Sequence, residues 1–200
     1  MRWLASVVLL LAMPAWAAVT RTALPGPDRF TLEATLPVSR AALLPMLEQP
    51  CQVRQWMPHL RDIRILHRLG PDQTLVYMAR EGSWPVSNRD AITLFRRQAG
   101  EPLVLTMEGQ PDVLPARPGY VRMPYIKGSW TLYDQGRRTR VVYRQRLDPG
   151  GSLPQWLADS VAGNHIEETL KALEHYVRDP HPDACAVDRP ADGGTGQPLW

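Results

Sequence analysis

A chain of 200 residues, 44% hydrophobic and 22% charged, has the length of one domain with short extras and enough apolar residues for a sizeable core, which excludes wholesale disorder. Its net charge of +3 is spread thinly, with no run of about five like charges, and so argues weakly for a partner with an acidic surface and does not suggest nucleic acid.

The N-terminus has the layout of a secretory signal. Arg2 supplies a positive n-region, and Leu4 to Met13 is an apolar h-region too short to span a bilayer. Ala15-Trp16-Ala17 places small residues where a signal peptidase reads them. Residues 1–17 are therefore expected to be removed and the mature chain exported, to a bacterial periplasm or the extracellular space; a retained anchor is the alternative. The two cysteines, Cys51 and Cys185, would then meet an oxidising compartment, as one disulfide or as two small unpaired hydrophobes.

Phe30 to Leu36 alternates apolar and polar residues and reads as the first strand. Ser39 is placed to cap a helix over Arg40 to Glu48, which Pro45 would kink or shorten, and Cys51 to Met57 forms a second short helix. Strands follow at Asp62 to Leu69 and Thr74 to Glu81, joined by the turn residues Gly70-Pro71-Asp72-Gln73. Ser83-Trp84-Pro85-Val86-Ser87-Asn88 connects to the fourth strand, Asp90 to Gln98; neighbours Arg89 and Asp90 point to opposite faces and should bind different partners. Leu103 to Glu108 is the fifth strand, and Gly109 to Pro118, with three prolines, a loosely structured loop. Tyr120 to Asp134 reads as one long sixth strand interrupted near Pro124, and Thr139 to Leu147 as the seventh. A final helix is expected from Ser152 to Val177, with Leu153, Trp156, Leu157, Val161, Ile166, Leu170, Leu173 and Val177 as one apolar stripe. Residues 186–200 read as a disordered tail. The pattern gives an α+β fold: a seven-stranded antiparallel sheet, order β-α-α-β-β-β-β-β-β-α, covered by a long C-terminal helix.

Three stretches, in order, carry a family resemblance. Trp84-Pro85-Val86-Ser87-Asn88-Arg89-Asp90, Gly128-Ser129-Trp130-Thr131-Leu132 and Asp148-Pro149-Gly150-Gly151-Ser152-Leu153-Pro154-Gln155-Trp156-Leu157 resemble the motifs of START domains, the lipid-transfer domains related to the steroidogenic acute regulatory protein, over residues 25–180. The resemblance implies the helix-grip fold, in which a curved sheet and the last helix enclose an elongated apolar chamber, and a lipid, sterol or similar hydrophobic small molecule as ligand. The expected wall comprises Leu103, Leu105, Met107, Met123, Trp130, Val141 and Tyr143 from the sheet, and Trp156, Leu157, Ser160, Val161 and Asn164 from the helix. Phe95 stands where some sterol-binding relatives place an arginine, which implies a more apolar chamber floor. Arg89 and Asp90 are read as structural anchors before head-group contacts.

No metal or other cofactor is expected, since no Cys-x-x-Cys, His-Glu-x-x-His, Gly-x-Ser-x-Gly, P-loop or dinucleotide motif occurs. Asn164-His165 with Glu167-Glu168 reads as a solvated helix face. A monomeric, non-enzymatic carrier or sensor of a hydrophobic ligand, making transient membrane-surface contact, is the leading expectation. A polyketide cyclase- or hydrolase-like enzyme on the same fold and a protein-interaction module with a filled chamber are the alternatives. The helix-grip arrangement also implies a Cys51–Cys185 bridge, since its short helices cradle the end of the long one.

Overall fold

In the computed structural model, residues 20–22, 30–82, 86–180 and 185 are described. The expected signal segment, the expected tail, and Ser83 with Trp84-Pro85 of the first motif lie outside them. The order is β1 (Thr20–Thr22), β2 (Phe30–Leu36), α1 (Arg40–Glu48), α2 (Pro50–Trp56), β3 (Leu60–Gly70), β4 (Gln73–Arg80), β5 (Arg89–Gln98), β6 (Leu103–Gly109), β7 (Val121–Arg122), β8 (Tyr125–Gln135), β9 (Arg138–Asp148) and α3 (Gln155–Tyr176). Eight strands form the path β1-β2-β9-β8-β6-β5-β4-β3, and β7 pairs with β5 off this path. The sheet is therefore larger than the seven strands expected. β1 extends the edge beside β2, and the long sixth strand divides at Met123-Pro124 into β7, which runs parallel to β5, and β8, which is antiparallel to β6.

Local chemistry explains the first helices. Ser39 caps α1 by accepting from the backbone N–H of Ala42 at 3.4 Å, and α1 continues past Pro45 to Glu48. Pro50 then opens α2 at its first turn, where the missing N–H costs nothing. Trp56 donates from Nε1 to the Met46 carbonyl at 2.8 Å and fixes the two helices against each other.

Period-two alternation divides the side chains of β4 and β5 between two cores. On the outer face Leu75, Tyr77, Ala79, Ile92 and Leu94 form a cluster against which Leu66, Leu114 and Tyr120 pack. Gly109 to Pro118, expected to be loosely structured, thus brings Leu114 over this face, and Tyr120, expected to open the sixth strand, packs beside it. The concave face packs against α1, α2 and α3: Leu32, Ala34 and Leu36 of β2 join Ile166, Leu170 and Leu173 of α3 in the main core.

Arg89 and Asp90 hold different partners, as their alternation requires. Asp90, 1% exposed, takes a bidentate pair from Arg122 at 2.9 Å through each oxygen. Arg122 also donates to the carbonyls of Pro111, Leu114 and Pro115, which ties the 110–120 loop to the sheet. Arg89 donates to the carbonyls of Pro149 at 3.2 Å, Gly150 at 3.4 Å and Ser87. Gly150 and Gly151 adopt φ of +68° and +78°, a left-handed pair that turns β9 toward α3 and presents these carbonyls to Arg89. α3 begins at Gln155, three residues later than expected, with Pro154 at its N-cap.

Cys51 of α2 is bonded to Cys185 beyond α3, with Cα atoms 5.2 Å apart. Close by, Tyr176 donates to Gln52 Oε1 at 2.6 Å, also joining α2 to α3.

Two stability measurements follow. Asp90→Ala leaves Arg122 without its counter-charge in a buried setting and should cost about 3–5 kcal/mol in urea unfolding. Cys185→Ser opens a link across 134 residues of sequence and should lower stability by roughly 4–5 kcal/mol in the chain-entropy account, with the same loss on reducing the parent protein.

Candidate functional site

Between the concave face of the sheet, α2 and α3 lies a cavity of about 310 Å³, at the lower end of the roughly 300–1,000 Å³ of small-molecule sites. Its apolar wall is made by inward-facing positions of successive strands: Ile63 on β3, Val76 and Met78 on β4, Phe95 on β5, Leu105 and Met107 on β6. Met123, Ile126 and Leu147 continue it, and Val53 and Trp56 contribute from α2. Trp130 and Tyr143 stack with ring centroids 3.9 Å apart and form one flat side. Gly128 lets β8 lie close here, since a Cβ on it would fall 2.5 Å from the Arg144 carbonyl and 2.9 Å from Met107 Cε.

Polar and charged side chains also line it, gathered in separate groups. Tyr143 donates to Gln145 Oε1 at 2.7 Å. Thr93, 1% exposed, has no hydrogen-bond partner for its hydroxyl among the described residues. Arg80 at the end of β4 places Nη1 against both ring nitrogens of His165, Nε2 at 2.6 Å, and donates from Nη2 to the Pro58 carbonyl at 2.6 Å. Where exposed residues join the lining, Arg97 pairs with Asp72 at 2.9 Å and with Glu48 at 3.3 Å, bridging β5, the β3–β4 turn and the end of α1.

The electrostatics follow from burial. Removal from water lowers the Arg80 pKa to about 10, opposed by Tyr143 and Glu168, so the guanidinium remains charged at neutral pH. Burial first, then the charges of Arg80 and His59, hold His165 well below the usual imidazole range and keep it neutral. Burial pushes the Tyr143 phenol up, with Arg80 opposing.

Of the expected wall, the structure brings together Phe95, Leu105, Met107, Met123, Trp130 and Tyr143, and it adds Arg89 and Asp90 to the lining. Leu103 and Val141 are instead packed into the core, 7% and 0% exposed. The helix residues are the main correction. Trp156 is 72% exposed, Ser160 and Asn164 are exposed, and Leu157 and Val161 are half-buried; none of the five lines the cavity. The step of five from Val161 to Ile166 turns the helix about 140° away from one stripe, at roughly 100° per residue. Leu157, Ser160, Val161 and Asn164 therefore occupy the side opposite Ile166, Leu170 and Leu173. His165, expected in solvent, flanks the true stripe together with Thr169, and these two line the cavity from α3. Arg80 was also missed, although period two from Val76 and Met78 places it on the same face.

Comparisons with known proteins agree with this geometry. The START domain family matches residues 30–179. An uncharacterised protein of Pseudomonas aeruginosa is 30% identical over 122 residues, 60% of each chain. The bovine phosphatidylcholine transfer protein is 26% identical over 136 residues, covering 62% of this chain and 63% of that one. The chain thus spans about three-fifths of the length of these curated relatives. Among solved structures, a STAR-related lipid transfer protein fragment from Xanthomonas axonopodis superposes with a TM-score of 0.69 at 30% identity, over 84% of this chain and 96% of that one.

The depressed His165 pKa gives a pH test. Folded His165 stays neutral where unfolded histidine takes a proton near pH 6.5, so its contribution is present above that pH and lost as the pH falls below it. Urea unfolding from pH 7.5 downward should show an acid-side slope of up to about 1.4 kcal/mol per pH unit that is diminished in His165→Leu.

Proposed function

This chain belongs to the START domain family, and from that premise we propose that it binds a lipid, sterol or similar hydrophobic molecule in the cavity beneath α3 and carries or senses it without turnover. The carrying observation is the cavity itself, about 310 Å³ with a continuous apolar wall from β3 to β6 and its polar side chains gathered in separate groups. A packed interaction module would fill that space, so the cavity favours the binder reading. The bovine and Xanthomonas relatives are named for lipid transfer, which supports the same reading here.

We also place the protein outside the cytoplasm. The Ala15-Trp16-Ala17 layout supports export, and the Cys51–Cys185 bridge suits an oxidising compartment. In this proposal the mature chain is a monomer that meets a membrane surface only to load or release its ligand.

Organic-solvent extraction of the natively purified protein, read by mass spectrometry, should release a stoichiometric hydrophobic molecule; recovery of a chemically altered product on incubation would instead favour a cyclase- or hydrolase-like enzyme. Met78→Trp, which fills the cavity from β4, should weaken a fluorescent acyl probe by about tenfold or more, some 1.4 kcal/mol. Trp156→Glu, on the exposed start of α3, should bind the probe as the parent does. The opposite ranking would place the ligand elsewhere.

A further inference from the structure

Of the arginines that line the cavity, Arg80 and Arg89 differ in how their donors are satisfied. Arg89 spends its donors on three carbonyls, of Ser87, Pro149 and Gly150, and is thereby accounted for as a structural cation. Arg80 has one carbonyl, that of Pro58, and the ring of His165. No carboxylate lies within ion-pair distance of it among the described residues, unlike Arg97, Arg122 and Arg140, each of which holds an acid. Glu168, the acid that acts on Arg80 electrostatically, is placed beside His59 at 3.6 Å.

The position of Arg80 is nevertheless built. His59 adopts φ +58°, an unusual conformation for a side chain other than glycine, in the segment that brings the Pro58 carbonyl onto Nη2. The His59 carbonyl in turn accepts from the Glu81 N–H at 2.9 Å, next to Arg80 in sequence. A guanidinium held this way beside the apolar wall, with no carboxylate in contact among the described residues, carries a desolvation cost that an anion entering the cavity would relieve.

Resting on the proposed ligand-binding role, we propose that the hydrophobic ligand is an acidic lipid whose oxyanion, carboxylate or phosphate, binds Arg80 beside His165 while its apolar part runs along Val76, Met78 and Met107. The guanidinium matches planar oxyanions bidentately. The modest cavity volume favours a single acyl chain over two. Arg80 remains a cation throughout the physiological pH range, so the site attracts the ionised form of such a lipid.

The test compares three unlabelled probes sharing one dodecyl chain, short enough for the cavity, each titrated calorimetrically: the carboxylic acid, the monoalkyl phosphate and the alcohol. The wild-type protein should bind at least one acidic probe about tenfold or more tighter than the alcohol, and Arg80→Gln should reduce that ratio to about threefold or less, with Arg80→Lys recovering part of it. Equal binding of acid and alcohol by the wild type overturns the acidic-lipid inference and leaves the carrier reading standing. Binding of none of the three overturns both. Inorganic phosphate that alone displaces the acidic probe at millimolar concentration assigns the site to a free anion and also overturns the inference. If Arg80→Gln does not fold, the wild-type probe ratio and the Arg80→Lys variant decide the matter by themselves.

Discussion

Asp90 is a carboxylate enclosed by protein, and the structure around it is arranged to keep its charge tolerable. The bidentate contact from Arg122 does this, and it requires Val121-Arg122 to lie parallel to the start of β5. That placement carries the 110–120 loop onto the outer face of the sheet, because Arg122 also gathers three of its carbonyls. The neighbouring Arg89 works on the other side of the strand, holding the glycine turn from which α3 departs. Two consecutive residues on one strand thus fix both coverings of the sheet. A buried ion pair of this sort adds little net stability over apolar packing, yet breaking it is expensive, so its main effect is on which arrangement is populated.

The cavity exists because the side chains facing inward do not meet across it. Strand residues line it on one side, and on the other α3 offers only its edge, through His165 and Thr169. The helix's own apolar stripe is occupied by β2. This division of labour holds α3 firmly against the sheet at one margin and leaves a space beneath the other. The polar groups sit at separate stations in that space: a guanidinium and imidazole by α3, an unpaired threonine hydroxyl midway on β5, and an ion-pair cluster by α1.

Much of this arrangement was legible in the sequence. The bounds of β4, β5, β6 and β9 were each legible to within one residue, and Ser39 announced α1. The order of the three motifs pointed to the sheet, its covering helix and, through the fold, the cysteine pair. What was not legible divides by cause. β7 is two residues long and is defined by its pairing with β5, which no local pattern reports. The helix contribution failed for a countable reason: residues before Val161 and after Ile166 are apolar but out of phase, so treating them as one stripe put Leu157, Ser160, Val161 and Asn164 on the wrong side. Arg80 and His165 went unnoticed because a charged residue at a strand end and a histidine between polar neighbours look like surface until the third dimension brings them together.

The bond between Cys51 and Cys185 changes what the chain is as a covalent object. It closes a ring that contains β3 to β9 and α3 entire and leaves outside it the segment before α2, with β2 and α1, and the C-terminal residues. A protease that cuts once within the ring, for instance near the exposed Val113, opens a loop without releasing a fragment. A chain nicked in this way would keep its full mass and separate into pieces only on meeting a reductant.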